Sequence, residues 1–196
     1  VDLGSFDPRC CAEIDVGALI SNARAVQAAA TAQGHRGVIA VVKADAYGHG
    51  APYVARTLHA FCGIDFFAVA SLPEALELRA SGLAPPVRVV VLGASVASEW
   101  PLFAVHHIET MIGSTATARE LLARDARAVA AEGVIDCHVM LNTGMNRDGL
   151  ATFDSSTEPH GRRAPADAHT RTPISAALFA SPERAPVKPP KPPEPV

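Results

Sequence analysis

One lysine stands apart in this chain. Lys43 is followed by no other lysine until Lys188, and the other ten cations of residues 1–150 are arginines. It ends an apolar run and opens the segment Lys43-Ala44-Asp45-Ala46-Tyr47-Gly48-His49-Gly50. An amine held in an apolar, partly dry setting has a lowered pKa and can form a Schiff base with an aldehyde. A lysine that only snorkels or pairs with a carboxylate would read the same way. Asp45, Tyr47 and His49 alternate toward one loop. Tyr47 offers a rigid hydroxyl donor suited to a phosphate or a carboxylate. His49 is either an acid–base group or a structural one. Gly48 and Gly50 allow a tight turn or a close approach to a ligand.

A second polar cluster reads Asn142-Thr143-Gly144-Met145-Asn146-Arg147. The guanidinium fork of Arg147 suits a carboxylate or a phenolate, and a plain surface arginine is the competing reading. Asn142 and Asn146 either orient such a group or cap the turn.

A β–α rhythm positions both clusters. Residues 38–42 are a continuous apolar run of strand length, as expected of a strand buried on both faces. Further strands are expected at 66–69, 87–92, 110–112 and 134–141, and a short extended segment at 12–15. Helices are expected from Gly17 to about Gln33, from Ala51 to Phe61, from an N-cap at Ser71 to Ala80, over 100–105, and from Thr115 to Glu132 before Gly133. Glu74, three residues after Ser71, reads as the second half of a capping box. Strand starts near 38, 66, 87, 109 and 134 leave 21–28 residues per unit, enough for strand, loop and helix. The result is a parallel α/β domain, open or barrel-like. Five strands alone favour an open sheet, since a closed barrel of this kind needs eight. In both architectures active sites form at the carboxyl ends of strands, which is where Lys43 and the 142–147 cluster fall.

Composition excludes other classes. The 196 residues are 48% hydrophobic and 19% charged, with a formal net charge of -3. That is globular, and it lacks the basic field that nucleic acid requires. No apolar run is long enough for a membrane span, and no charged segment followed by an apolar one suggests a signal peptide. No GxGxxG or GxxxxGK[ST] is present. Cys10, Cys11, Cys62 and Cys137 have neither disulfide-framework nor metal-site spacing, so no metal and a reducing, cytoplasmic setting are expected.

The average conceals a split. Residues 1–150 hold six of the 16 prolines, and residues 151–196 hold ten. The first part is expected to fold and the second to be a Pro-rich disordered tail, either inert or a polyproline ligand. The break is as abrupt as a change of coding frame or splice choice would make it.

Residues 41–50 are similar to the cofactor-lysine signature of the alanine racemases, which use pyridoxal 5'-phosphate (PLP). The likeness extends from Ala12-Glu13-Ile14-Asp15 through Ala68-Val69-Ala70, Glu74-Ala75, Leu78-Arg79 and Val91-Leu92-Gly93 to Asn142–Arg147, and fades near Leu150. It implies an isomerase of D-alanine biosynthesis that interconverts L- and D-alanine. The family has an N-terminal TIM-type barrel, a C-terminal β domain and a homodimer, so this chain would hold a partial PLP-binding (β/α) barrel with about five of eight units. The resemblance implies that Lys43 holds PLP and serves as the base on the D-alanine side. Tyr47 would hydrogen-bond the cofactor phosphate, and Arg147 would lie near the phenolate oxygen and the substrate carboxylate. Met140 stands where many members have a lysine that orients this arginine, and Asn142 stands where an aspartate is usual. The second catalytic base of the family is a tyrosine of the C-terminal domain; Tyr47 and Tyr53 are the only tyrosines here, and neither matches it. The implied activity is therefore racemase-like but absent from the isolated chain. The alternative is a noncatalytic PLP-binding or interaction protein that pairs through an exposed barrel edge. A small amino acid is the implied substrate, with no nucleic-acid or membrane partner.

Overall fold

Short runs rich in valine, isoleucine and phenylalanine form a five-stranded sheet: β1 (Ala40–Val41), β2 (Phe66–Val69), β3 (Arg88–Val91), β4 (Ile108–Ile112) and β5 (Cys137–Val139). The structure is a computed structural model and describes residues 12–124, 131 and 133–151. All four pairings are parallel, in the order β1-β2-β3-β4-β5. A doubly wound sheet reverses its strand order at a switch point, whereas a barrel adds each strand beside the last. The sequential order is therefore that of a barrel, left open between β1 and β5 among the described residues.

Curvature is visible in one contact. Three strand spacings of about 4.8 Å would hold β2 and β5 roughly 14 Å apart in a flat sheet. The rings of Phe66 on β2 and His138 on β5 nevertheless lie 6.0 Å apart between centroids. The sheet must bend toward the face that carries them. The opposite face presents Phe67, Val69, Val89, Val91 and Ile108 to the helices and forms the core with them. Phe67, Leu78, Val89 and Phe103 there are wholly enclosed, each contributing about 1.5–3 kcal/mol of burial.

The helices are α1 (Val16–Ala32), α2 (Lys43–Gly48), α3 (Ala51–Cys62), α4 (Leu72–Ala80), α5 (Trp100–Val105) and α6 (Thr115–Leu122). Ala-rich α1 is capped by Asp15, whose carboxylate accepts from the Ala18 N–H at 2.9 Å. Residues 12–15 thus serve as a cap, and no strand forms there. Gln27 and Arg24 of α1 donate to the carbonyls of Cys62 and Phe61, tying α1 to the end of α3. Ser71 stands at the N-cap of α4 as expected, but its side chain makes no capping bond. The expected capping box is absent because Glu74 is engaged elsewhere, as described below. At the other end of α4, Arg79 donates to four carbonyls, those of Leu83, Val87, His106 and His107, at 2.6–3.0 Å. One side chain thereby joins α4 to the starts of β3 and β4. Burial lowers the Arg79 pKa, against the opposing influence of Glu109.

The two outer strands are shorter than the apolar runs that announce them. Each has one neighbour only, and among the described residues the paired stretches begin at Ala40 and Cys137, with one further bond from the Thr110 N–H to the Asp136 carbonyl. The β5 ladder continues for one bond, from the Met140 N–H to the Ile112 carbonyl. The chain then enters β6 (Leu141–Asn142), which pairs with β7 (Leu150–Ala151). The expected helix to Glu132 is described as far as Leu122, and residues 125–130 and 132 lie outside the described set. The expectation of a Pro-rich tail over 151–196 also falls outside it, Ala151 excepted.

The open edges carry apolar side chains in water: Val41 is 43% exposed and Val139 42%. Exposed strand edges with such residues template association. The isolated chain is expected to sediment as an oligomer or aggregate. A monodisperse monomer by analytical ultracentrifugation, at concentrations of about 10 µM or above, would contradict this.

Candidate active site

The residues after β1 take an uncommon path. Ala44, Asp45, Ala46 and Tyr47 have φ of 51–57° and ψ of 37–50°, four successive residues in the left-handed helical region. None is glycine, and each such residue costs about 1–2 kcal/mol. Specific bonds hold the turn. The Ala46 N–H donates to the Val42 carbonyl at 2.9 Å, and the Gly50 N–H to the Asp45 carbonyl at 2.9 Å. The Asp45 carboxylate accepts from the Ala51 N–H at 2.6 Å, at the start of α3. Glu74 reaches in from α4: its two oxygens accept from the Ala44 N–H at 3.0 Å and the Ala70 N–H at 2.7 Å. The carboxylate joins the turn to the end of β2.

Strand alternation carries Val41 to the concave face and Val42 to the helix side, and Lys43 follows at the carboxyl end of β1 as the first residue of α2. Lys43 is half-buried, and among the described residues its ammonium has no hydrogen-bond or ion-pair partner. The salt-bridged reading of this lysine therefore loses its support. Tyr47, on the same turn, is 63% exposed and its hydroxyl is available. His49 Nδ1 lies 2.9 Å from the Ala46 carbonyl and 3.2 Å from the Tyr47 carbonyl. A carbonyl only accepts, so Nδ1 carries the proton and the ring is bonded back onto its own turn. His49 reads as structural.

Arg147 sits in the loop between β6 and β7, beyond the carboxyl end of β5. Its guanidinium is exposed, 4.0 Å from the Asp148 carboxylate. The Asn142 side-chain Oδ1 accepts from the Gly144 and Asn146 backbone N–H groups, and its Nδ2 donates to Asn146 Oδ1. Asn142 is thus the organiser of this loop. Gly149 closes the loop with φ 111°, and an added Cβ there would meet the Asn142 nitrogen at 2.7 Å. Met140 brings no charge that could hold Arg147. Lys43 and Tyr47 lie together on one turn, and Arg147 stands on the opposite edge of the sheet at the same carboxyl end. Four strand spacings would be about 19 Å if flat, and curvature shortens that path.

A charged ladder at the other end of the concave face was not anticipated. Arg88 on β3 makes a two-pronged pair with Glu109 on β4, at 2.6 and 2.8 Å, and His138 on β5 donates to the same carboxylate. The Arg88 guanidinium also lies 3.9 Å above the Phe66 ring. Burial pushes the Glu109 carboxyl up, but the hydrogen bonds from Arg88 and His138 outweigh it and hold it below the usual value. Its hydrogen bond to Glu109 raises Arg88. The available signal was a charged or titratable residue near the start of each of three successive apolar runs.

A parallel sheet in barrel order, with an unpartnered lysine and an exposed tyrosine at its carboxyl mouth, defines a partial (β/α) barrel of the kind that handles small molecules at that mouth. Residues 14–160 match the family described as alanine racemase, N-terminal domain. The chain belongs to that family, and the match runs ten residues past the composition break at 150. It is 40% identical over 113 residues to an alanine racemase of Pectobacterium atrosepticum, covering 58% of this chain and 29% of that protein. The solved alanine racemase of Corynebacterium glutamicum superposes with a TM-score of 0.59 at 31% identity, over 69% of this chain and 37% of that one. That of Bartonella henselae, solved with covalently bound pyridoxal phosphate, gives 0.59 at 26% identity, over 71% and 38%. The matched stretch therefore spans less than two fifths of each of these relatives. No helix among the described residues is long and apolar enough to cross a membrane.

Proposed function

We propose that this chain binds PLP covalently through Lys43 and supplies one half of an amino-acid racemase site. The observation that carries the reading is the unpartnered Lys43 amine, half-buried at the carboxyl end of β1. The donor set fits the group: an amine for its aldehyde, the exposed Tyr47 hydroxyl for its phosphate, and the exposed Arg147 guanidinium for its phenolate oxygen or a substrate carboxylate. PLP, when bound, supplies an electron sink that makes the α proton of an amino acid removable. Lys43 then holds and moves that proton on one face of the α carbon. Tyr47 and Arg147 fix orientation, and the substrate is a small amino acid, alanine by kinship. Residues 1–150 form the barrel portion and 151–196 a Pro-rich extension. The setting is cytoplasmic, and the open edges pair with further strands from a partner chain, as in a homodimeric assembly.

Borohydride reduction after incubation with PLP, followed by peptide mapping, tests the assignment. The adduct is expected at Lys43, abolished in Lys43→Ala and weakened in Arg147→Ala. Adducts at Lys188 or Lys191 alone would defeat the proposal. The second reading, a noncatalytic PLP-binding protein, is favoured by the lack of any tyrosine beyond Tyr47 and Tyr53. Capture at Lys43 with no turnover, even when the chain is mixed with a full-length racemase whose own cofactor lysine is replaced, would establish it.

A further inference from the structure

We infer that Glu74 is the positioning residue of Lys43, acting through the left-handed turn that follows it; the part of this inference that concerns PLP capture rests on the function proposed above. Four non-glycine residues in left-handed geometry are locally unfavourable, so something outside the turn must hold them. Glu74 is one side chain that reaches the turn from another element. Its oxygens accept from Ala44, the residue next to Lys43, and from Ala70, which ends β2. Both bonds are charge-assisted, which makes them about twice as strong as neutral ones.

The two N–H groups need two acceptors. Glutamine at this position offers one acceptor oxygen and turns an amide N–H₂ toward the second N–H, so one bond becomes a donor–donor contact. Aspartate is one methylene shorter and cannot span both amides. The chain can relieve the strain by relaxing residues 44–47 toward right-handed geometry, which would redirect the backbone that carries Lys43. Glu74 thereby sets the direction of the amine without touching it.

Hydrogen exchange on the full chain reads the turn directly. The Ala46 and Gly50 amides bond only to backbone carbonyls, at Val42 and Asp45, so their protection reports the turn and not the carboxylate. In Glu74→Gln their protection is expected to fall about tenfold or more, the value of one lost charge-assisted bond. Amides of β3 should hold theirs. Lys43 labelling by PLP and borohydride should slow in the same variant, while Glu77→Gln, which removes an exposed carboxylate of the same helix, should leave both unchanged. Unaltered protection at Ala46 and Gly50, a uniform loss across α4 and β3, or an opened turn with Lys43 labelled as before would each overturn the inference. Failure of the parent chain to label Lys43 would instead overturn the proposed function, and the exchange result would still decide whether Glu74 holds the turn.

Discussion

L-Alanine incubated with this 196-residue polypeptide and saturating PLP is expected to remain L-alanine, with turnover far below one per second. Racemisation takes a proton from one face of the α carbon and returns one to the other, so it needs a proton-handling group on each side. Lys43 provides one. Tyr47 lies on the same turn as Lys43, and Tyr53 is on α3, the element that follows that turn. His49 is bonded to the carbonyls of its own turn. A correctly placed acid or base contributes on the order of 10² to 10⁴ in rate. An unclosed and wet site loses further electrostatic preorganisation. Chiral chromatography over hours, with Lys43→Ala as the control, is the assay. Sustained turnover at about 1 s⁻¹, lost in that control, would mean that a second chain or a residue outside the described set provides the missing group.

Glu109→Gln is expected to destabilise the fold by about 3 kcal/mol, the low end for breaking a buried charge pair because Arg88 keeps access to water. Only 8% of the Glu109 side chain is exposed, and both partners converge on it. The variant leaves Arg88 without its two-pronged acceptor and His138 with a neutral one. The pH dependence gives an independent check. The folded carboxyl sits below its ordinary value, so its contribution is complete above the unfolded glutamate pKa of about 4.3 and is lost as pH falls through the lower folded value. Urea midpoints measured from neutral to about pH 3 should decline more steeply in the parent than in Glu109→Gln. Parallel curves would show that the carboxylate is not coupled to folding.

Most of the framework was legible because apolar periodicity is a local signal. The 66–69 strand, the 72–80 helix and the 100–105 helix lie where the residues alone put them. The outer strands were overestimated because a run such as 38–42 records what could pair, whereas the ladder records what has a neighbour. Barrel versus open sheet was not legible from strand count; it rests on strand order and on a ring contact between residues 72 positions apart. Lys43 could be singled out by scarcity and by its place at a strand end. The left-handed turn could not, since Ala44, Asp45, Ala46 and Tyr47 have no special claim to that geometry, and what holds it includes a carboxylate from another helix. Glu74 was visible but misread, because the spacing from Ser71 that suggests a capping box is the same whether the carboxylate turns back to its own helix or across to the neighbouring strand.

The ladder of Arg88, Glu109 and His138 over Phe66 has a bearing on traffic. Phe66 and Arg88 begin β2 and β3, and Glu109 and His138 are second in β4 and β5, so all four crowd the amino ends of the strands on the concave side. They lay a floor. From β2 to β5 the concave face is then closed at its amino end, and a small molecule reaches that face from the carboxyl end or through the gap between β1 and β5. Lys43, Tyr47 and Arg147 stand at the carboxyl end, so under the proposed function the way in and the chemistry share one place.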